Sequence, residues 1–343
     1  MNPHHYAVVV GINNYPELTD LVGPINDADA FRDWLENEGG VPVKNIETLK
    51  TPPAGGAEPI KGQLDDALAR LHDMMRADTA HDPALWHQSR LYVFLAGHGI
   101  MPRGGESALL LANARKGRHE NFEVSQYMNW YQYHGGIFKE VVFFTDCCRN
   151  RVDNAPASVP PFDLTPGTPP TVFTLAGYAC APGTPAYERK EVEIPADQRR
   201  GYFTQALLRG LRGAAPVDPT EGVITSHTLA PYVSFAVRPT TSHKSIPQRV
   251  AMPSSDLAHP ICFSAPSTVP ISAVKINFPP AFNREVELLH PGGRRETWSK
   301  APNPWPLAVP DGLYSVVELE SGSGSSFHEE GTFAVIGDAD VQL

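Results

Sequence analysis

The thiol pair Cys147-Cys148 and the glycine-flanked imidazole Gly97-His98-Gly99 are the residues whose types and spacing could open a peptide bond. Cys148 follows His98 by 148 − 98 = 50 residues. A thiol attacks a carbonyl as thiolate, and its ordinary pKa of about 8.5 leaves little of that form at neutral pH. An imidazole within reach takes the proton and later returns one to the leaving amine. The amides of Gly99 and Cys148 are the candidate donors to the oxyanion, and glycines on both sides of His98 would let the backbone approach a substrate. The chemistry these groups spell is that of a cysteine hydrolase.

Such a pair needs elements that deliver both groups to one place. Residues 91–96 and 140–146 are short β-branched and aromatic runs without Gly or Pro, the pattern of buried strands. His98 follows one and Cys148 the other. Period-2 alternation places Asp146 on the same side as Cys148 and turns Cys147 to the opposite face. Residues 6–12 read as a first strand and 43–49 as a second. Helices are expected over 28–38, capped by Asn26-Asp27, and over 60–76. A β-α-β-α-β order predicts an α/β fold, a mostly parallel sheet flanked by helices. Further helices are expected near 125–131, 201–211 and 226–237, with a strand at 171–177. From residue 264 the runs become short, alternating and Pro/Gly-bounded, which predicts a small C-terminal antiparallel β domain. The expected boundaries are therefore 1–263 and 264–343.

Composition narrows the function classes. The 38 acids against 28 bases give a net charge of −10, which argues against nucleic acid or an anionic membrane as partner. The four cysteines contain no C-x-x-C, so neither a disulfide framework nor a zinc ribbon is indicated, and a reducing compartment fits. No signal-peptide pattern opens the chain and no apolar run approaches membrane-spanning length, so a soluble, cytoplasmic protein is expected. Gly11-Ile12-Asn13-Asn14 lacks the glycine spacing of a dinucleotide fingerprint, and no P-loop occurs, which disfavours a nucleotide-binding module.

Gly97-His98-Gly99 followed by Asp146-Cys147-Cys148 resembles the dyad of the caspase-like peptidases, most closely the metacaspases and their bacterial relatives. The resemblance extends over about residues 5–262. Leu21-Val22-Gly23-Pro24-Ile25-Asn26-Asp27-Ala28, Ala186-Tyr187-Glu188 and Gly201-Tyr202-Phe203-Thr204 are similar to three further motifs of that family, in the same order. It implies a caspase-like fold and a cysteine endopeptidase acting on protein or peptide substrates. It also implies Cys148 as nucleophile and His98 as its base, while Asp146 and Asp27 form an acidic pocket that favours Arg or Lys before the scissile bond. No cofactor is implied; some members need calcium, but the acids here are scattered and define no calcium site.

One stretch departs from the family. Where it commonly reads Cys-His-Ser-Gly, this chain has Cys148-Arg149-Asn150-Arg151. An altered turn there leaves a second reading open, a catalytically inactive caspase-like scaffold or regulatory binding module. Arg149, Arg151, Arg189, Lys190, Arg199 and Arg200 flank the dyad in sequence and are candidate self-processing sites. The C-terminal domain, which carries no thiol, would serve a regulatory partner.

Overall fold

The computed structural model describes every residue except 1, 54, 103–106, 166–168, 189–194, 197–198, 243, 264, 266–268, 291–293 and 320–326. The chain divides into two compact units, one of residues 1–211 and 215–265, the other of 212–214 and 266–343.

In chain order the first unit contains β1 (His5–Gly11), α1 (Gly23–Asn37), β2 (Ile46–Lys50), α2 (Lys61–His81), β3 (Arg90–Ala96), β4 (Gly99–Pro102), β5 (Ala108–Leu110), β6 (Asn121–Glu123), α3 (Val124–Trp130), β7 (Glu140–Asp146), β8 (Asn150–Val152), β9 (Phe173–Tyr178), α4 (Tyr202–Arg209) and α5 (Ser226–Thr240). The central sheet has the order β2-β1-β3-β7-β9, and all four of its pairings are parallel. β3 and β7 are buried along almost their whole length, as strands covered on both faces must be.

Alternation along the strands separates the two faces. Val8, Leu91, Val93, Val141 and Phe143 join Leu64, Leu68 and Leu71 of α2 and Tyr127 of α3 in one buried cluster. The residues between them point the other way. There Phe31 of α1 stacks on Phe94 at 4.6 Å between ring centres and meets Tyr92 and Phe144 edge-on. A Cβ on Gly177 of β9 would lie 2.6 Å from the Phe144 ring and 3.2 Å from Phe203 of α4. Asp146 has the parity of Tyr92, Phe94 and Phe144, and so faces α1 and α4.

One local expectation is corrected. Helix α1 begins at Gly23, with Pro24 in its first turn, so Asp27 lies inside the helix rather than capping it. The orphan amides at its start find distant acceptors instead: Glu188 Oε1 accepts from Val22 at 3.4 Å and Gly23 at 3.2 Å, and Asn13 Oδ1 from Ile25 at 3.1 Å. The short strands β4, β5, β6 and β8 form a separate four-stranded sheet in the order β6-β5-β4-β8, in which β8 runs parallel to β4.

The second unit contains β10 (Ile271–Asn277), β11 (Val286–Leu289), β12 (Arg295–Trp298), β13 (Trp305–Pro310), β14 (Gly312–Leu319), β15 (Phe327–Val335) and β16 (Ala339–Gln342). These form sheets β13-β10-β16 and β12-β11-β14-β15, antiparallel except for the parallel pair β10–β16. Alternate residues of β10, β11 and β13 bury Val274, Ile276, Val286, Leu288 and Leu307 around Phe278 and Trp298, whose rings stack at 4.1 Å. Among the described residues, no helix is long and apolar enough to cross a membrane.

Candidate active site

β3 and β7 are neighbours in register, with Ala96 opposite Asp146, and the Gly97 amide donates to the Asp146 carbonyl at 3.3 Å. His98 and Cys148 therefore leave adjacent strands two residues past a matched pair, at one edge of the sheet. The glycines around His98 are required by close packing. A Cβ on Gly97 would stand 2.6 Å from Tyr15 Oη, and one on Gly99 2.5 Å from both Cys147 Sγ and the Cys148 carbonyl oxygen.

The imidazole is fixed from two sides. The His98 amide donates to the Tyr15 hydroxyl at 2.9 Å, which donates to the Leu110 carbonyl at 3.2 Å. The two rings lie 4.9 Å apart. Nε2 stands 2.7 Å from the Thr19 carbonyl oxygen. A carbonyl only accepts, so Nε2 carries the hydrogen and the neutral ring keeps its lone pair on Nδ1. Neither Tyr15 nor Thr19 was marked by the sequence, and a backbone acceptor leaves no trace in residue type.

Cys148 is partly exposed, and Ala186 meets its sulfur with both backbone groups: the amide donates at 3.3 Å, and the carbonyl accepts from the thiol at 3.5 Å. Burial pushes the thiol above its usual pKa, the Ala186 amide pulls it down, and the charges of Asp146 and Glu188 push it up. Among the described residues no hydrogen bond joins His98 to Cys148, since the ring rests on Thr19 and the sulfur on Ala186. Such pairs are often long without substrate and tighten in its complex. Cys147 is buried beneath Gly99, 3.6 Å from Ser107 Oγ, and burial holds its thiol protonated. Cys180 is buried as well, donates to the Thr184 carbonyl at 3.1 Å, and has its pKa pushed up to about 12, chiefly by burial.

Three carboxylates gather beside this edge. Asp146 Oδ2 accepts from the Thr204 amide at 3.0 Å and its hydroxyl at 2.7 Å. Both oxygens of Asp27 lie 3.1 Å from the Gly201 amide nitrogen. A Cβ on Gly201 would overlap the Asp146 carboxyl, 2.6 Å from its Cγ, and one on Gly23 would fall 3.4 Å from Glu188 Oε1 and 3.5 Å from Asp27 Oδ2. Asp27, Asp146 and Glu188 thus line two glycines, and at Gly201 there is no room for a side chain. Burial first, with a smaller push from Glu188, raises the Asp146 pKa to about 6 against the lowering by Thr204. Asp27 is pushed well above the usual range by burial first and by Asp146 second, while Gly201 and Arg200 pull it down. Gly201, Thr204, Ala186 and Glu188 stand in the motifs quoted above, which carried no chemical assignment for them.

A caspase domain family model matches residues 4–258. The chain belongs to the caspase domain family. A probable protease from a Desulfuromonadales bacterium is 29% identical over 229 residues, which are 61% of this chain and 26% of that protein. The chain thus aligns with about a quarter of that relative's length. Among solved structures, caspase-1 from Spodoptera frugiperda is 16% identical, with a TM-score of 0.49 over 76% of this chain and 92% of its own. Its pro form is 14% identical, with a TM-score of 0.43 over 74% and 87%.

Within this caspase-domain chain the unusual Arg149 is buried. It is 1% exposed and turned inward, which removes it from the candidate self-processing sites. Arg151 is exposed in β8. The carbonyls of Ala196 and Arg199 are held by Asn26 Nδ2 of α1, each at 2.8 Å. Arg189 and Lys190 lie outside the described residues. Among the described residues no group of three or more His, Cys, Asp or Glu side chains could hold a metal ion.

Proposed function

We propose that this chain is a cysteine endopeptidase that cuts after Arg or Lys, with Cys148 as nucleophile and His98 as base. His98 Nδ1 takes the thiol proton while Nε2 stays on Thr19, and the thiolate is held by the Ala186 amide. The same nitrogen then protonates the leaving amine. The Cys148 and Gly99 amides stabilise the oxyanion. The observation that carries the specificity is the Asp27–Asp146–Glu188 cluster beside the nucleophile. Asp27 and Asp146, buried and held above their usual pKa, gain most from a cation, and a guanidinium meets carboxylates with paired donors.

The alternative, an inactive scaffold, stood on the Arg149 turn. Against it weighs the burial of Arg149, whose guanidinium lies on Tyr178 at 4.4 Å from the ring centre. The cysteine usage supports action in a reducing compartment such as the cytoplasm. The C-terminal β unit would place substrate or bind a regulatory partner. Any self-processing would fall after an exposed basic residue such as Arg151.

The experiment is peptide cleavage by the wild type, Cys148→Ala, Cys147→Ala and His98→Ala, using fluorogenic peptides ending in Arg, Lys or Asp, with calcium and with chelator. Cleavage of the basic peptides should vanish in Cys148→Ala and survive in Cys147→Ala. Wild type inert toward all of them favours the scaffold, and activity surviving in Cys148→Ala rules out the nucleophile.

A further inference from the structure

A guanidinium is among the costliest groups to bury, and a chain keeps one inside only where donors and face are met. Arg149, the residue after the nucleophile, is 1% exposed. Its Nη1 donates to the Cys180 carbonyl at 3.1 Å, and its guanidinium carbon lies 4.4 Å from the centre of the Tyr178 ring. Its backbone is tied to the same segment. The Arg149 amide donates to the Thr184 carbonyl at 3.1 Å, and its carbonyl accepts from Gly183 at 2.9 Å. One residue thus grips the 178–184 stretch at four points.

That stretch leads directly to the sulfur. Thr184 is folded back on the Ala181 carbonyl by its amide at 3.1 Å and its hydroxyl at 2.7 Å. Cys180 Sγ reaches the Cys147 and Thr184 carbonyls at 3.6 and 3.1 Å. Two residues on, Ala186 sets its amide 3.3 Å from Cys148 Sγ. That amide is the group that favours the thiolate. We propose that Arg149 is a positioning residue for the nucleophile: it anchors the 178–184 segment so that the Ala186 amide stays on the Cys148 sulfur. Lysine, with one point charge and no planar face, would not reproduce the carbonyl bond and the ring contact together. The proposal rests on the reading of Cys148 as nucleophile.

The test compares Arg149→Met, Arg149→Lys and Tyr178→Leu with wild type. Each is checked for fold by circular dichroism and assayed in two ways, by cleavage of an Arg-ending peptide and by the pH profile of Cys148 alkylation with iodoacetamide, mapped by mass spectrometry. In Arg149→Met, kcat should fall about tenfold to a hundredfold, the scale of a slightly misplaced reacting group, with KM little changed. Its alkylation profile should move to higher pH, and that of Arg149→Lys should move less. A role confined to stability would lower the melting temperature and leave the profile in place. A folded Arg149→Met with wild-type kcat and a superimposable profile overturns the proposal. If Arg149→Met does not fold, Tyr178→Leu decides: a shift to higher pH supports it and an unmoved profile overturns it. Alkylation reads the thiol directly, so the positioning role is decided even if wild type cuts no peptide.

Discussion

The Nε2 atom of His98 gives its hydrogen to the carbonyl of Thr19 across 2.7 Å, which makes Nδ1 the basic nitrogen of the ring. Orientation by a backbone carbonyl differs from orientation by a carboxylate, because no side chain can be deleted to abolish it. Thr19→Ala should therefore cleave peptides nearly as well as wild type, whereas His98→Ala should lose about 10²–10⁴-fold in kcat, the range for a removed general base. Nitrogen NMR of the His98 ring checks the tautomer. A neutral ring with its hydrogen on Nδ1 in the free protein would reverse the assignment.

Gly201 offers a second test, since its missing Cβ is the space the Asp146 carboxyl occupies. Gly201→Ala must push Asp146 off the Thr204 amide and hydroxyl or shift the start of α4. Overpacking of this kind costs about 1–3 kcal/mol, read as a lower unfolding midpoint. The KM for an Arg-ending peptide should rise more than kcat falls, because the pocket is displaced and the thiol is not. Equal KM values for Gly201→Ala and wild type would separate Asp146 from substrate binding.

The strands were legible because buried parallel strands are written as unbroken apolar runs, and those of β1, β3 and β7 are uninterrupted. Their endings also announced the thiol and the imidazole. The start of α1 was misread, since Asn26-Asp27 looks like a cap while the acceptor in use, Glu188, lies 165 residues from Gly23. Strands as short as β6 and β8 have no periodicity to read. Arg149 was misjudged for a related reason. A lone charge in a Pro-rich stretch reads as exposed, and only the tertiary partners Tyr178 and Cys180 reveal why it is buried.

Glu188 joins the cap of α1 to the segment that touches the Cys148 sulfur, and its two effects can be separated. Glu188→Ala removes the acceptor for the Val22 and Gly23 amides and should cost about 0.5–2 kcal/mol of stability, as lost helix caps do. Glu188→Gln keeps an oxygen there but removes the charge. Because that charge is among the causes that raise the Cys148 pKa, alkylation of the thiol in Glu188→Gln should begin at lower pH than in wild type. A shift to higher pH would mean that the cap, not the charge, governs the sulfur.

The acidic pair predicts opposite pH trends for binding and for stability. Burial raises Asp146 to about 6, so it gains a proton as the medium turns mildly acidic; burial also lifts its neighbour Asp27 well above the carboxylate range. Protonated, Asp146 attracts a guanidinium less, and KM for an Arg-ending peptide should climb as pH falls through about 6. Cation binding must in turn release protons, by linkage. For stability the sign reverses. The folded chain holds a proton that the unfolded chain releases at about 3.9. The stabilisation from Asp146 is complete below that value and is lost as pH rises through about 6. Asp146→Asn, which cannot ionise, should flatten the KM profile and raise the unfolding midpoint relative to wild type at neutral pH, not in acid. Initial rates and thermal melts at matched pH provide the check, and a wild-type KM that does not change across that range would detach these carboxylates from substrate binding.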